Sequence, residues 1–100
     1  MNSNSALARP LGASGKLLEK GLAVIKLARD SLRIDGLTAR QVYEILVKKF
    51  RVAKVYSRNV SRDLSKATQY VSRLKVGNEY KYLLMLQGEQ HLEELAARFR

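Results

Sequence analysis

The chain has 100 residues, 46% of them hydrophobic and 28% charged, enough apolar material for one domain with one core. It has no cysteine, which excludes disulfides, thiolate chemistry and cysteine-held metal, and no apolar run approaches the length of a membrane span. Nineteen Lys and Arg against nine Asp and Glu leave a net charge of +10 and a pI near 10.2, the balance of a protein whose partner is a polyanion, most often nucleic acid.

The charge is unevenly spread. Between Ile45 and Lys81 lie ten basic residues, opposed only by Asp63 and Glu79, whereas from Gly88 onward Glu89, Glu93 and Glu94 outnumber Arg98 and Arg100. The middle of the chain is therefore expected to face the polyanion, and the C-terminal segment to be turned away from it. The first residues lack a signal-peptide pattern, so a cytoplasmic location is expected.

Residues 1–13 mix Ser, Asn, Gly and the single Pro without a sustained period and read as a mobile tail. Over 14–33 the apolar residues recur at helical spacing (Leu18, Leu22, Ile25, Leu32 and Leu17, Gly21, Val24, Ala28), with Ser14 as the expected N-cap. The apolar sector is broad. It suits either a central helix covered on two sides or a helix that shares part of its surface with a second subunit. Gly21 suggests a close helix crossing.

Ile34-Asp35-Gly36-Leu37 reads as a turn ending in one extended apolar residue. A helix is expected over 38–50, opened by a capping box of Thr38 and Gln41 and by a hydrophobic staple of Leu37 and Val42, with Val42, Ile45, Leu46 and Phe50 inward. After a short connection containing Lys54, Ser57 is the expected N-cap of a helix over 57–69. Val60, Leu64 and Ala67 form its apolar stripe. Arg58, Asn59, Arg62, Ser65, Lys66 and Gln69 form a face on which every side chain can donate a hydrogen bond. Arg and Lys neutralise phosphate, while Arg, Asn and Gln can also pair with base edges. A solvated surface helix is the plainer reading of that segment alone. A brief connection between two helices, the second bearing basic and amide side chains, makes a helix-turn-helix candidate.

Residues 70–86 read as a hairpin turning at Gly77-Asn78, which pairs Lys75 with Tyr80, Arg73 with Tyr82 and Val71 with Leu84. Val71, Leu83, Leu84 and Leu86 would join the core, leaving Arg73, Lys75 and Lys81 near the tip. Gln87-Gly88 is expected to break the strand before a final amphipathic helix over 89–99, with Leu92, Leu95, Ala96 and Phe99 as its stripe. His91, beside Glu89, Glu93 and Glu94, reads as part of an exposed, solvated cluster rather than a metal site. No phosphate loop or Ser-His-Asp set can be assembled, so neither an enzyme nor a cofactor is expected, and no small-molecule ligand or membrane contact is evident.

The order helix, extended residue, helix, helix, hairpin, helix, with the stretches LTARQVYEIL, SRNVSRDLSKATQYV, VGNEYKYLLML and QGEQHLEEL, resembles a winged helix-turn-helix domain. It is similar to the small MarR- and ArsR-like regulators of bacteria and archaea over roughly the last two thirds of the chain. The resemblance implies a mainly α, α+β fold with a hairpin wing. It places Ser57, Arg58, Ser61, Arg62 and Ser65 in a major groove, and Arg73, Lys75 and Lys81 at phosphate or minor groove. Thr38 and Arg40 fall on the DNA backbone. The expected function is a double-stranded DNA-binding transcription regulator, nucleoid-associated. The alternatives are an architectural DNA coat or an interaction module of a replication, transcription or segregation complex. The C-terminal helix is shorter than in many such regulators, so a homodimer is expected through the first helix.

Overall fold

Leu22, Ala23, Val24, Ile25 and Ala28 are all buried, so the helix that carries them, α1 (Leu17–Leu32), is covered on nearly every side. The structure, a computed structural model, describes residues 16–98. The expected tail, the Ser14 cap and Phe99 lie outside the described residues. At its start the Lys16 backbone N–H donates to Glu19 Oε1 (3.3 Å). At its end Arg33 adopts a left-handed conformation (φ 56°), and the Ile34 N–H returns to the Ala28 carbonyl (3.0 Å). The broad apolar sector is thus mostly taken up by the fold itself, with Leu27 half-buried and Leu32 exposed.

The fold is mixed α+β, with four helices and a three-stranded antiparallel sheet among the described residues. β1 (Leu37–Thr38) leads into α2 (Ala39–Glu44), which continues as a π-helical turn, Ile45–Lys49. α3 spans Ser57–Lys66, β2 Val71–Val76, β3 Glu79–Leu84 and α4 Leu86–Arg98. The sheet order is β1-β3-β2.

The capping box forms: the Thr38 N–H donates to Gln41 Oε1 (2.9 Å) and the Gln41 N–H to Thr38 Oγ1 (3.2 Å). Leu37 and Val42, the staple pair, are both buried. The uniform helix expected over 38–50 gives way to the π turn, where the Phe50 N–H reaches the Ile45 carbonyl (3.2 Å). A π turn takes in an extra residue and so rotates the residues after it by about 100°. Phe50, expected inward, is accordingly 38% exposed.

Four other expectations are corrected. Tyr56, not Ser57, holds the N-cap position of α3 with an extended backbone (φ −118°, ψ 135°), and its carbonyl accepts from Asn59 and Val60. Ser57 therefore begins the helix and its hydroxyl caps nothing. α3 also stops at Lys66: Ala67 (φ −87°, ψ 47°) leaves helical conformation, with its methyl group still buried. Finally, Gln87-Gly88 does not precede the last helix but lies in its first turn. Leu86, expected in the core at the hairpin base, starts α4 and is 69% exposed.

The hairpin register matches expectation: Val71 opposite Leu84, Arg73 opposite Tyr82 and Lys75 opposite Tyr80, across a loop entered at Gly77 with φ 62°. β1 adds Leu37 opposite Tyr82. Gly36 (φ 96°) makes that close approach, since a Cβ there would lie 3.0 Å from Leu83 Cγ and 3.2 Å from the Tyr82 carbonyl oxygen.

α4 is fastened to α1 by polar pairs at two points. Arg29 Nη2 lies 2.6 Å from Glu89 Oε1, and His91 Nε2 lies 2.9 Å from Glu19 Oε2 while its ring stacks on Tyr70 at 4.8 Å. His91 is therefore a half-buried clamp, not part of an exposed acidic cluster. A partner on an element distant in sequence drew it inward. The Glu89 hydrogen bond holds the Arg29 guanidinium above its ordinary range, and Lys26, helped by Arg29, holds the Asp30 carboxyl below its own. Lys26 and Arg29 are thereby engaged within the fold.

The Gly21 expectation meets a different outcome. A Cβ there would sit at ordinary contact, 3.7 Å from both Leu64 Cδ2 and Val42 Cγ1. No close crossing demands glycine. Gly21→Ala is expected to stabilise the protein by about 0.5–1 kcal/mol through helix propensity, raising the midpoint of thermal unfolding. A lowered midpoint would show that the helices there cannot yield at all.

Candidate nucleic-acid interface

α3 is held by two buried side chains, Val60 and Leu64, each 2% exposed. Burial of that kind is worth about 2 kcal/mol per side chain, which fixes one face and leaves the other to solvent. Ser57, Arg58, Ser61, Arg62 and Lys66 are exposed, while Asn59, Asp63 and Ser65 are half-buried.

The first turns of α3 line a groove of about 400 Å³. Its walls come from three places: Thr38, Ala39 and Arg40 where β1 runs into α2; Ser57, Arg58 and Ser61 of α3; and Asn78 to Tyr80, with Tyr82, of the hairpin. Strand alternation puts Arg73 and Lys75 on the same hairpin face as Tyr80 and Tyr82. Arg73 lies over the Tyr80 ring, 4.7 Å from its centroid, which fixes both side chains beside the groove. Arg58 stands 6.0 Å from the Tyr56 ring.

The expected site residues divide on this geometry. Thr38, Arg40, Ser57, Arg58 and Ser61 share the groove, with Arg73 and Lys75 beside it. Arg62 is on the exposed face but Asp63 lies 3.3 Å from its Nε. Ser65 donates its hydroxyl to the Ser61 carbonyl, so its proton is already committed. Asn59 is half-buried on the flank of α3 rather than on its exposed face. Gln69 falls in the turn after α3 and shares a separate hollow with Lys16 and Lys66, because the helix ended three residues earlier. Lys81 sits on the opposite hairpin face, paired across from Thr38 and Leu74. Lys54 is exposed in the α2–α3 connection in a left-handed conformation (φ 58°).

No family model, no curated protein and no solved structure matches this chain.

Sequence reasoning passed over Glu79 and Tyr80 as groove residues. The hairpin register carried the signal for Tyr80, since it places that ring opposite Lys75. Glu79 is the one carboxylate among the described groove-lining residues, and its Oε2 lies 3.5 Å from Arg40 Nη2. Both side chains are well exposed, so solvent weakens the pair, but it does set a negative charge against any anion entering the groove.

Among the described residues no helix is long and apolar enough to cross a membrane, and no three His, Cys, Asp or Glu converge on a metal site.

Proposed function

We propose that the chain is a double-stranded DNA-binding protein of the winged helix-turn-helix type, acting as a sequence-selective transcription regulator. One observation carries the reading. On a protein of net charge +10, the exposed start of α3, the start of α2 and the hairpin tip converge on one groove with Arg40, Arg58, Arg73 and Lys75 around it. In this reading α3 enters the major groove and Arg58 reads a base edge, with Ser57 and Ser61 near the backbone. The hairpin is the wing, and Arg73 and Lys75 hold phosphates. Among the described residues, none of α4 lines the groove.

Selection from a random duplex pool at near-physiological salt tests the reading. An enriched motif is the expected result, and a palindrome would mean two copies per site, with half-sites about 10 bp apart. Binding without enrichment would instead favour an architectural coat. Retention of nothing would remove the proposal.

Glu79 supplies a further test with an unusual sign. Glu79→Gln removes the groove's carboxylate and releases Arg40, so duplex affinity is expected to rise about three-fold at low salt, with a steeper salt dependence. Fluorescence anisotropy of a labelled duplex reads both. Unchanged or weakened binding would mean that phosphates do not approach this groove.

A further inference from the structure

We propose that the surface where the end of α1 meets the π turn docks an amphipathic helix of a partner protein, one whose apolar stripe is flanked by carboxylates. The proposal stands on residues other than those of the DNA reading.

The first observation is apolar exposure. Leu32, Ile34 and Phe50 are 62%, 41% and 38% exposed. They border two adjoining hollows of about 250 and 260 Å³ that share Ile45 and Lys49 as walls. Large apolar side chains gathered around a concavity mark an interaction site more often than the same side chains scattered singly. A groove of this kind accepts the apolar face of a helix.

The second is charge. Lys48 and Lys49 line the hollows, and Arg33 and Arg51 directly follow Leu32 and Phe50 in the chain. Glu44 is the one carboxylate among the lining residues. Among the described residues none of the four basic side chains is in an ion pair. A second copy docked by a two-fold axis would set these cations against their own images. A partner bearing carboxylates is attracted instead.

The third is backbone conformation. Arg33 (φ 56°) and Arg51 (φ 52°) both occupy the left-handed region at the ends of helical segments, where glycine is the residue of least strain. Each is followed by the return bond that closes such an end: the Ile34 N–H to the Ala28 carbonyl, and the Val52 N–H to the Leu46 carbonyl (2.9 Å). Glycine would relieve the strain at either position, and what arginine returns to the fold is only the favourable contact of a cation with a helix C-terminus. Local rules broken directly after Leu32 and directly after Phe50, two residues that border the hollows, are the pattern that function leaves. Lys54 shares the conformation but belongs to the α2–α3 connection.

The test uses the full chain and two synthetic amphipathic peptides, identical in their leucines at i, i+3, i+4 and i+7. One carries glutamate on the flanking positions, the other lysine. The glutamate peptide is expected to bind about ten-fold or more tightly than its lysine twin. Its amide shifts should centre on residues 27–34 and 44–52. Leu32→Ser, at an exposed position, should abolish binding without unfolding the chain. The double change Arg33→Gly and Arg51→Gly should raise the unfolding midpoint yet weaken the peptide several-fold, an opposition that a purely structural role would not produce. Equal binding of the two peptides, no binding of either, or shifts centred on α3 and the hairpin would overturn the proposal. It also falls if the same residues shift with protein concentration alone, if vesicles of anionic lipid occupy the patch and the peptide cannot displace them, or if Phe50 shows contacts to residues 1–15 in the free chain.

Discussion

Arg58→Ala is expected to weaken binding to the preferred duplex by about 1–3 kcal/mol, roughly five- to 150-fold, and to relax the choice of base at one position. The reason is where the side chain stands. Arg58 is exposed on the outward face of α3, lines the groove, and has no carboxylate partner among the described residues. Its planar fork is free to make a bidentate contact, the geometry that guanine presents in the major groove. Arg62 is the natural comparison. Asp63, at 3.3 Å, already holds its Nε, so Arg62→Ala should cost less. Lys75→Ala should behave differently again, weakening all sequences alike and reducing the salt slope by about one. Binding curves for the preferred site and for an unrelated duplex, measured for all three variants, separate these outcomes. Identical losses for Arg58→Ala and Lys75→Ala on both duplexes would mean that α3 reads no bases.

Gly88→Ala should cost about 3 kcal/mol and lower the unfolding midpoint by roughly 15 °C. An added Cβ would lie 2.5 Å from the Tyr70 carbonyl oxygen and 2.7 Å from Leu84 Cδ1. The leucine methyl can turn aside. The Tyr70 carbonyl cannot, because it accepts the Met85 N–H at 2.8 Å where the hairpin closes. α4 would have to lift away from the hairpin base, straining the His91–Tyr70 stack and the His91–Glu19 contact together. Scanning calorimetry of the variant decides the matter. A midpoint equal to that of the parent chain would show that α4 has slack the packing does not reveal.

These glycines show where sequence reasoning reaches and where it stops. Gly77-Asn78 was legible as a turn because a two-residue loop and the alternation of flanking residues are local signals, and they set the whole hairpin register. Thr38 and Gln41 were legible for the same reason, since a capping box is contained within four residues. Gly88 was not. A glycine can end an element or allow two backbones to touch, and only the position of Tyr70, distant in sequence, decides between them. The π turn also has no local signature: the spacing of Val42, Leu46 and Phe50 suits an ordinary helix, and Phe50 is turned outward only by the extra residue in the turn. His91 could not be placed from its neighbours Glu89 and Glu93, because its partner Glu19 is on another helix. In the groove, the outward position of Arg58 was legible from helical spacing, whereas Ser61 was expected only from the resemblance to winged helix-turn-helix domains. Glu79 could not be placed in the groove from its neighbours, because its partner Arg40 lies on α2, distant in sequence.

The measurement that bears most directly on DNA binding through this groove is an amide-shift titration of the full chain with a duplex. Resonances of residues 38–40, 57–62 and 73–80 are expected to move together and to saturate with one affinity, while those of α4 stay in place. Movement confined to α4 or to the end of α1, or no movement at moderate salt, would contradict it.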